Sequence, residues 1–155
     1  MRFRVSALPA AQFSPLYGLS DGELKARQVC RVVADHSPGF PCRVSLREAA
    51  LGERVLLVNF EHLPVPTPYR SRYAIYVREG AEQAAPAVNE LPDILTRRLM
   101  SLRALSAEGL LQGAEIVCGT QLTEAIARWL SRAEVDYLHL HNAAPGCYAA
   151  RVDRA

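Results

Sequence analysis

The sequence predicts an α+β fold, with a mainly antiparallel sheet of about eight strands and about three helices. Short apolar runs alternate with turn residues along most of the chain, which is typical of strands joined by tight connections. Long helical segments do not regularly separate these runs, and this argues against a doubly wound parallel sheet. One strongly amphipathic segment, 120–132, is predicted to be the longest helix and to cover the sheet.

The predicted strands begin with residues 2–8, where apolar and polar side chains alternate as in a half-buried strand. The others are 28–34, 53–60, 72–78, 99–105, 110–117, 135–141 and 146–152. The turn residues at 106–109 predict that 99–105 and 110–117 form a hairpin. Two long connections are expected as loops, the proline-rich 64–70 and the segment 80–92.

Two capping boxes predict short helices. Residues 20–23 have the form Ser-x-x-Glu, so a short helix should run from there to about Arg27. Residues 45–48 have the same form, and Gly52 stands where a helix would end, which predicts a second helix at Leu46–Leu51.

Composition limits the class of protein. The 155 residues fit one globular domain, half of them apolar and 22% charged. A net charge of +2 gives no electrostatic case for nucleic acid, and no apolar run approaches the length of about 20 residues that a membrane helix needs. The N-terminus lacks the apolar stretch of a signal peptide, so we expect a cytoplasmic protein. Its cysteines, Cys30, Cys42, Cys118 and Cys147, should then be free thiols.

A cluster of basic and aromatic residues predicts an anion site. Tyr69, Arg70 and Arg72 follow the proline-rich loop, and His62 precedes it. Guanidinium groups bind carboxylate and phosphate through paired hydrogen bonds, so Arg70 and Arg43 with His62 should hold a small anionic ligand. Tyr69, Arg72 and Asn142 are the further predicted ligand-binding residues. The alternative is an edge strand protected by charge and proline.

His139 and His141 flank Leu140 in a predicted strand, so both imidazoles should share one face with Tyr137. Two histidines at this spacing can chelate a transition metal if a third ligand joins them. His62, Cys147 or Cys42 could supply it. The alternative, which we favour, is a polar outer strand face without metal, and no cofactor is expected.

Cys147 is a candidate nucleophile because His141 and Asn142 precede it across a short turn. His62 is a further candidate for catalysis. Gly146 could expose an amide as an oxyanion donor. Cys42, which is next to Arg43 in the sequence, is a second candidate nucleophile, since a guanidinium favours the thiolate form of a cysteine. The alternative is that these cysteines pack as small apolar side chains.

Three strings carry a family resemblance. They are Pro-Gly-Phe-Pro-Cys-Arg-Val-Ser-Leu at 38–46, His62 followed by Pro-Tyr-Arg at 68–70, and the ending His-Asn-Ala at 141–143 with Gly-Cys-Tyr at 146–148 and Arg-Val-Asp-Arg-Ala at 151–155. Together they resemble a bacterial family of about this length that is catalogued only as a domain of unknown function. The resemblance implies a soluble, single-domain bacterial protein and transfers no activity.

The residues therefore favour a small-molecule domain that binds an anionic ligand, with enzymatic activity left open. One alternative is a non-catalytic structural or interaction protein that works as a homo-oligomer. Another is a metal-binding protein that uses His139 and His141. Convergence of the predicted polar residues on one concavity would favour the first hypothesis, and their scatter would favour the second.

Overall fold

Eight strands in two antiparallel sheets and three α-helices make up the fold in a computed structural model that describes all 155 residues. The strands are β1 (Phe3–Ser6), β2 (Val29–Val33), β3 (Arg54–Leu63), β4 (Ser71–Arg78), β5 (Leu99–Leu105), β6 (Leu111–Cys118), β7 (Tyr137–Asn142) and β8 (Tyr148–Arg154). The helices are α1 (Asp21–Ala26), α2 (Asp93–Thr96) and α3 (Leu122–Leu130). The predicted α+β class and the number of strands are confirmed, but the strands form two sheets rather than one.

The larger sheet has the order β1-β8-β7-β5-β6, and helix α3 packs on one of its faces. Leu138 and Leu140 of β7 meet Ile126 and Trp129 of the helix in the largest apolar cluster. The periodicity of the sequence places these side chains together, because alternate strand residues and every third or fourth helix residue share a face. The predicted hairpin is also confirmed, since β5 and β6 pair antiparallel from Leu99 opposite Cys118 to Leu105 opposite Leu111.

The smaller sheet, of order β2-β3-β4, lies over part of the opposite face. Tyr148 of β8 belongs to the same apolar cluster as Leu56, Ile75 and Val77 of this sheet. His62, near the end of β3, reaches the rings of His141 and Tyr148. Both faces of β7 are therefore covered, and all six of its residues are buried.

The first capping box is confirmed. Ser20 Oγ accepts the Glu23 amide at 3.3 Å, and the Glu23 carboxylate accepts the Ser20 amide at 2.8 Å. Helix α1 begins at Asp21 and ends close to the predicted position.

The prediction of a second capping box is wrong, and no helix forms at Leu46–Leu51. The Glu48 carboxylate accepts the amides of Gly39 and Phe40, both at 3.0 Å, instead of turning back to Ser45. Leu46 has a φ of 52°, which a right-handed helix does not allow. The segment is a loop that long-range contacts hold in place.

The two predicted loops have no regular structure, as expected. The loop 80–92 is fixed by Asn89, whose Oδ1 accepts the Phe3 amide at 3.0 Å. The proline-rich loop packs on the β5–β6 turn, where Val65 lies against Gly109. The predicted helix 120–132 begins with a 3-10 turn at Gly119–Gln121 and continues as α3. None of the helices has the length and apolar character needed to cross a membrane.

Candidate functional site

A cavity of about 490 Å³ opens where the loop that contains Arg43 meets β4 and the β7–β8 turn. We call it the Cys147 cavity. Its walls are mainly apolar and include Leu57, Tyr73, Tyr76 and Pro145. Small-molecule sites usually have volumes of about 300–1,000 Å³ and a few convergent polar groups on apolar walls. The cavity therefore has the dimensions and the lining of a ligand site.

The β7–β8 turn positions Cys147. Gly146 has a φ of 77°, which permits a tight reversal after Asn142. The backbone amide of Gly146 donates to the backbone carbonyl of Asn142 at 2.9 Å. The backbone amide of Asn142 donates to the backbone carbonyl of Cys147, also at 2.9 Å. The turn thus holds Cys147 beside Asn142 at the wall of the cavity.

Two N–H donors meet the Cys147 sulfur. Arg43 Nη2 donates to Sγ at 3.0 Å and Asn142 Nδ2 donates at 3.3 Å. Arg43 is only 1% exposed, and its other donors bind the backbone carbonyls of Tyr148 and Pro41. Burial lowers the pKa of the Arg43 guanidinium, and the nearby Cys147 sulfur opposes that shift. No carboxylate contacts Arg43, so Cys147 is the one hydrogen-bonded partner that can carry a balancing charge.

The side-chain amide of Asn142 has a hydrogen-bond partner for its nitrogen but none for its oxygen. Its side chain is 7% exposed, and Oδ1 is buried without a hydrogen-bond partner. A buried acceptor without a partner is costly and needs a physical explanation. Asn142 lines the Cys147 cavity, so this unpartnered oxygen belongs to a side chain of the cavity wall.

The expected partners of Cys147 are arranged differently. His141 Nδ1 bonds to the Gly146 carbonyl at 2.9 Å and makes no hydrogen bond to the Cys147 sulfur. The Gly146 amide binds Asn142 and is not free to serve as an oxyanion donor. Arg43 and Asn142, rather than His141, are the groups that act on this thiol.

Three imidazoles and a phenol form a second cluster, the histidine cluster, between the two sheets. The ring centroids of His62 and His141 lie 5.0 Å apart, and His139 lies 6.2 Å from His62 and 6.1 Å from His141. Tyr148 stacks on His62 at 5.6 Å. His139 and His141 are 4% and 1% exposed, so the expectation of a polar outer strand face is wrong.

Burial keeps the histidine cluster neutral. Desolvation is the main cause of a lowered pKa in all three rings, to about 4 for His62, about 2 for His139 and about 3 for His141. The positive charge of Arg103 lowers each pKa further. At neutral pH each ring therefore has one N–H donor and one acceptor nitrogen.

His62 reaches the two strand histidines, as a third metal ligand would. The rings are nevertheless not arranged around a common point, and no group of three His, Cys, Asp or Glu side chains could hold a metal ion as it stands. The other two proposed ligands lie elsewhere: Cys147 lines the Cys147 cavity, and Cys42 Sγ accepts the amides of Ser45 and Arg78. Metal binding at His139 and His141 stays a prediction.

The residues of the predicted anion site lie in three separate places. Arg70 pairs with Glu61 at 2.5 Å on the surface, and Arg72 donates to Asn59 at 2.7 Å. Tyr69 is 42% exposed. None of these three predicted residues lines the Cys147 cavity, whereas Arg43 does, and His62 belongs to the histidine cluster. β4 is an edge strand of its sheet, as the alternative interpretation proposed.

Sequence reasoning missed two residues near the cavity. Arg98 lines it and pairs with Glu48, a contact that also holds the neighbouring loop. Tyr148 connects the Cys147 cavity to the histidine cluster, because its carbonyl accepts Arg43 Nε at 2.7 Å while its ring contacts His62. The position of Tyr148 directly after Cys147 was the available signal for the second residue. Nothing local marks Arg98.

A wider cavity of about 690 Å³ lies on the other side of Arg98. Its charged residues are of both signs and include Arg47, Arg97, Glu90 and Asp93. Since no buried polar group faces it without a partner, it gives less support for a ligand than the Cys147 cavity does.

Comparison with known proteins gives a family. Residues 39–154 match the model of the family described as Protein of unknown function (DUF1203). The chain belongs to this family. The DUF1203 match contains Arg43, Asn142 and Cys147 as well as His62, His139 and His141, and it confirms the resemblance seen in the sequence strings. No curated protein and no solved structure matches the chain.

Proposed function

We propose that the protein binds a small molecule in the Cys147 cavity and uses the Cys147 sulfur, held as a thiolate, as a nucleophile. The observation that carries this proposal is the 3.0 Å contact between a buried guanidinium and the sulfur at the cavity wall. A buried positive charge without a counter-charge is strongly disfavoured. The thiolate supplies that counter-charge, and it is also the reactive form of cysteine.

The lining of the cavity supports a mainly apolar ligand rather than the anion that the sequence suggested. Arg43 already donates to Cys147 and to two carbonyls, and Arg98 pairs with Glu48. Neither guanidinium is left free of a partner for a carboxylate or phosphate. The aromatic rings of Tyr73 and Tyr76 offer an apolar surface for the ligand.

Site-resolved alkylation tests the proposal. Iodoacetamide reacts with the thiolate, so an ordinary thiol with a pKa of about 8.5 loses reactivity roughly tenfold for each pH unit below that value. We expect Cys147 to be alkylated faster than Cys30 at both pH 6 and pH 8. The exposed Cys30 is the internal reference, and peptide mass spectrometry reads both sites.

Protection from alkylation then tests the cavity. A panel of small apolar compounds should contain some that slow alkylation of Cys147 and leave Cys30 unchanged. Slower alkylation of Cys147 than of Cys30 at both pH values would contradict the thiolate. A panel that protects neither site would favour the interaction-protein hypothesis instead.

The four free cysteines also support a cytoplasmic location for the protein. Disulfides form and persist in oxidising compartments, whereas thiols are kept reduced in the cytoplasm. A nucleophilic thiolate at Cys147 would need such a reducing compartment to stay active.

A further inference from the structure

We infer that Cys147 reduces organic hydroperoxides and is oxidised to a sulfenic acid in the reaction. The inference rests on the proposed function, because it assigns a substrate class to the same cavity and the same thiolate. It is carried by the set of groups that contact the sulfur and by the unpartnered oxygen of Asn142.

The partners of Cys147 limit its chemistry. Only Arg43 and Asn142 hydrogen-bond to the sulfur through their side chains, and neither can take up a proton from an attacking group at neutral pH. Acyl transfer by a cysteine depends on an adjacent base that later protonates the leaving group. His141, the nearest imidazole in the chain, bonds to the Gly146 carbonyl instead. Attack of a thiolate on a peroxide needs no such base, because the leaving group takes its proton from solvent.

The Cys147 thiolate attacks the terminal oxygen of a hydroperoxide ROOH, a sulfur–oxygen bond forms, and the oxygen–oxygen bond breaks. The sulfur loses two electrons and the peroxide gains them. The RO⁻ leaving group takes one proton from solvent and departs as the alcohol ROH, which leaves the cysteine as a sulfenic acid. The N–H donors of Arg43 and Asn142 contact the sulfur and hold it in place for the attack.

The cavity favours organic hydroperoxides over hydrogen peroxide. Asn142 Oδ1 is a buried acceptor without a partner, and the O–H of a hydroperoxide can donate to it while the terminal oxygen approaches the sulfur. The apolar walls at Leu57, Tyr73 and Tyr76 would bury the organic group. Hydrogen peroxide has no such group to bury.

An external thiol returns the enzyme to its starting state. A low-molecular-weight thiol condenses with the sulfenic acid to a mixed disulfide and water, and a second thiol releases the Cys147 thiol and leaves as the disulfide. Cys42 is fully buried, and its sulfur accepts two backbone amides, so it is not placed to move toward Cys147.

Dimedone labelling, which traps sulfenic acids, tests the inference in a Cys118→Ser background. That substitution removes a competing exposed thiol, since a hydrogen bond from Thr120 lowers the pKa of Cys118. After exposure to cumene hydroperoxide, we expect Cys147 to be labelled at least about ten times faster than the exposed Cys30. Labelling of Cys147 should be faster with cumene hydroperoxide than with hydrogen peroxide at equal concentration.

Two variants add to the test. Asn142→Ala should slow labelling of Cys147 and reduce the preference for the organic peroxide. Arg43→Lys keeps a positive charge without the guanidinium geometry and should slow labelling as well. Because substitution of this buried residue also affects folding, the comparison of Cys147 with Cys30 in the Cys118→Ser protein is decisive by itself.

The outcomes separate the inference from the proposed function. Fast alkylation of Cys147 with labelling no faster than that of Cys30 would overturn the peroxide reaction and leave the thiolate site standing. Slow alkylation and slow labelling of Cys147 would overturn both. Equal rates with the two peroxides would overturn the assignment to organic hydroperoxides.

Discussion

The Arg43 guanidinium donates to the Cys147 sulfur at 3.0 Å, although 104 residues separate the two in the chain. The contact joins the loop between β2 and β3 to the turn between β7 and β8, and so connects the two sheets. Arg43 Nε strengthens the same junction through its bond to the Tyr148 carbonyl at 2.7 Å. One buried side chain thus stabilises the fold and sets the electrostatics of the candidate site.

Loss of the sulfur should destabilise the protein. Cys147→Ala leaves a buried guanidinium donor without its partner, so we expect the free energy of unfolding to fall by about 2–3 kcal/mol. Cys147→Ser keeps an acceptor and should lose less. Urea unfolding at pH 7 measures both, with Cys30→Ala as the exposed control. A stability of Cys147→Ala equal to that of the control would show that the contact with Arg43 contributes nothing.

Two glycines should respond in opposite ways to a methyl group. A Cβ at Gly119 would lie well under 3.0 Å from the carbonyl oxygens of Leu95 and Thr96, and backbone atoms cannot easily move. We expect Gly119→Ala to cost at least about 2 kcal/mol. Gly22 lies in α1, and no atom stands within 4 Å of the position that an added Cβ would take, so Gly22→Ala should stabilise by about 0.5–1 kcal/mol. Thermal unfolding of the two variants gives the comparison, and a stable Gly119→Ala would contradict the close packing of α2 against the 3-10 turn.

Local patterns predicted the elements whose determinants are themselves local. The capping box at Ser20, the periodicity of α3 and the position of His139 and His141 on one face of β7 all appear in the structure as expected. The box at residues 45–48 has the same form and fails, because the Glu48 carboxylate finds the Gly39 and Phe40 amides and the Arg98 guanidinium. Such competition depends on distant partners, which a local motif does not contain.

In the candidate site, too, local contacts could be predicted and long-range contacts could not. Asn142 and Cys147 are close in sequence, so their association could be predicted, whereas the Arg43 partner could not. His62 was expected near both an anion site and a metal site, and packing of β3 over β7 places it with His139 and His141. The sequence therefore identified most of the polar residues and misassigned which of them meet.

The purified, untagged protein should contain less than one equivalent of tightly bound zinc. Zn–N bonds of about 2.0–2.1 Å in a tetrahedral site place the centroids of ligating imidazole rings roughly 5.3 Å apart. His139 lies 6.2 and 6.1 Å from the other two rings, which is too far for all three to bind one ion. Elemental analysis measures the metal. Stoichiometric zinc that disappears in His139→Ala and persists in His36→Ala would contradict this expectation.

Acid should destabilise the protein through the histidine cluster. Well above pH 6.5 the rings are neutral in both the folded and the unfolded chain and contribute no pH dependence. Below that value the unfolded chain takes up protons, whereas the folded chain does not, because burial holds the pKa of His139 at about 2 and that of His141 at about 3. The free energy of unfolding therefore falls as the pH falls from 6.5 toward these values.

Between pH 7 and pH 5, each of these two buried histidines should lower the free energy of unfolding by about 2 kcal/mol, or by about 4 kcal/mol together. His62 adds less, because its ring is partly exposed to solvent. A loss of this size is comparable to the total stability of many domains, about 5–15 kcal/mol. Urea unfolding at intervals between pH 7 and pH 5 measures the slope. His139→Gln should flatten it by about 2 kcal/mol over this range, while the exposed His36→Gln should keep the wild-type profile. A wild-type stability that stays constant down to pH 5 would mean that the cluster accepts protons in the folded state, which is incompatible with burial of His139 and His141 between the two sheets.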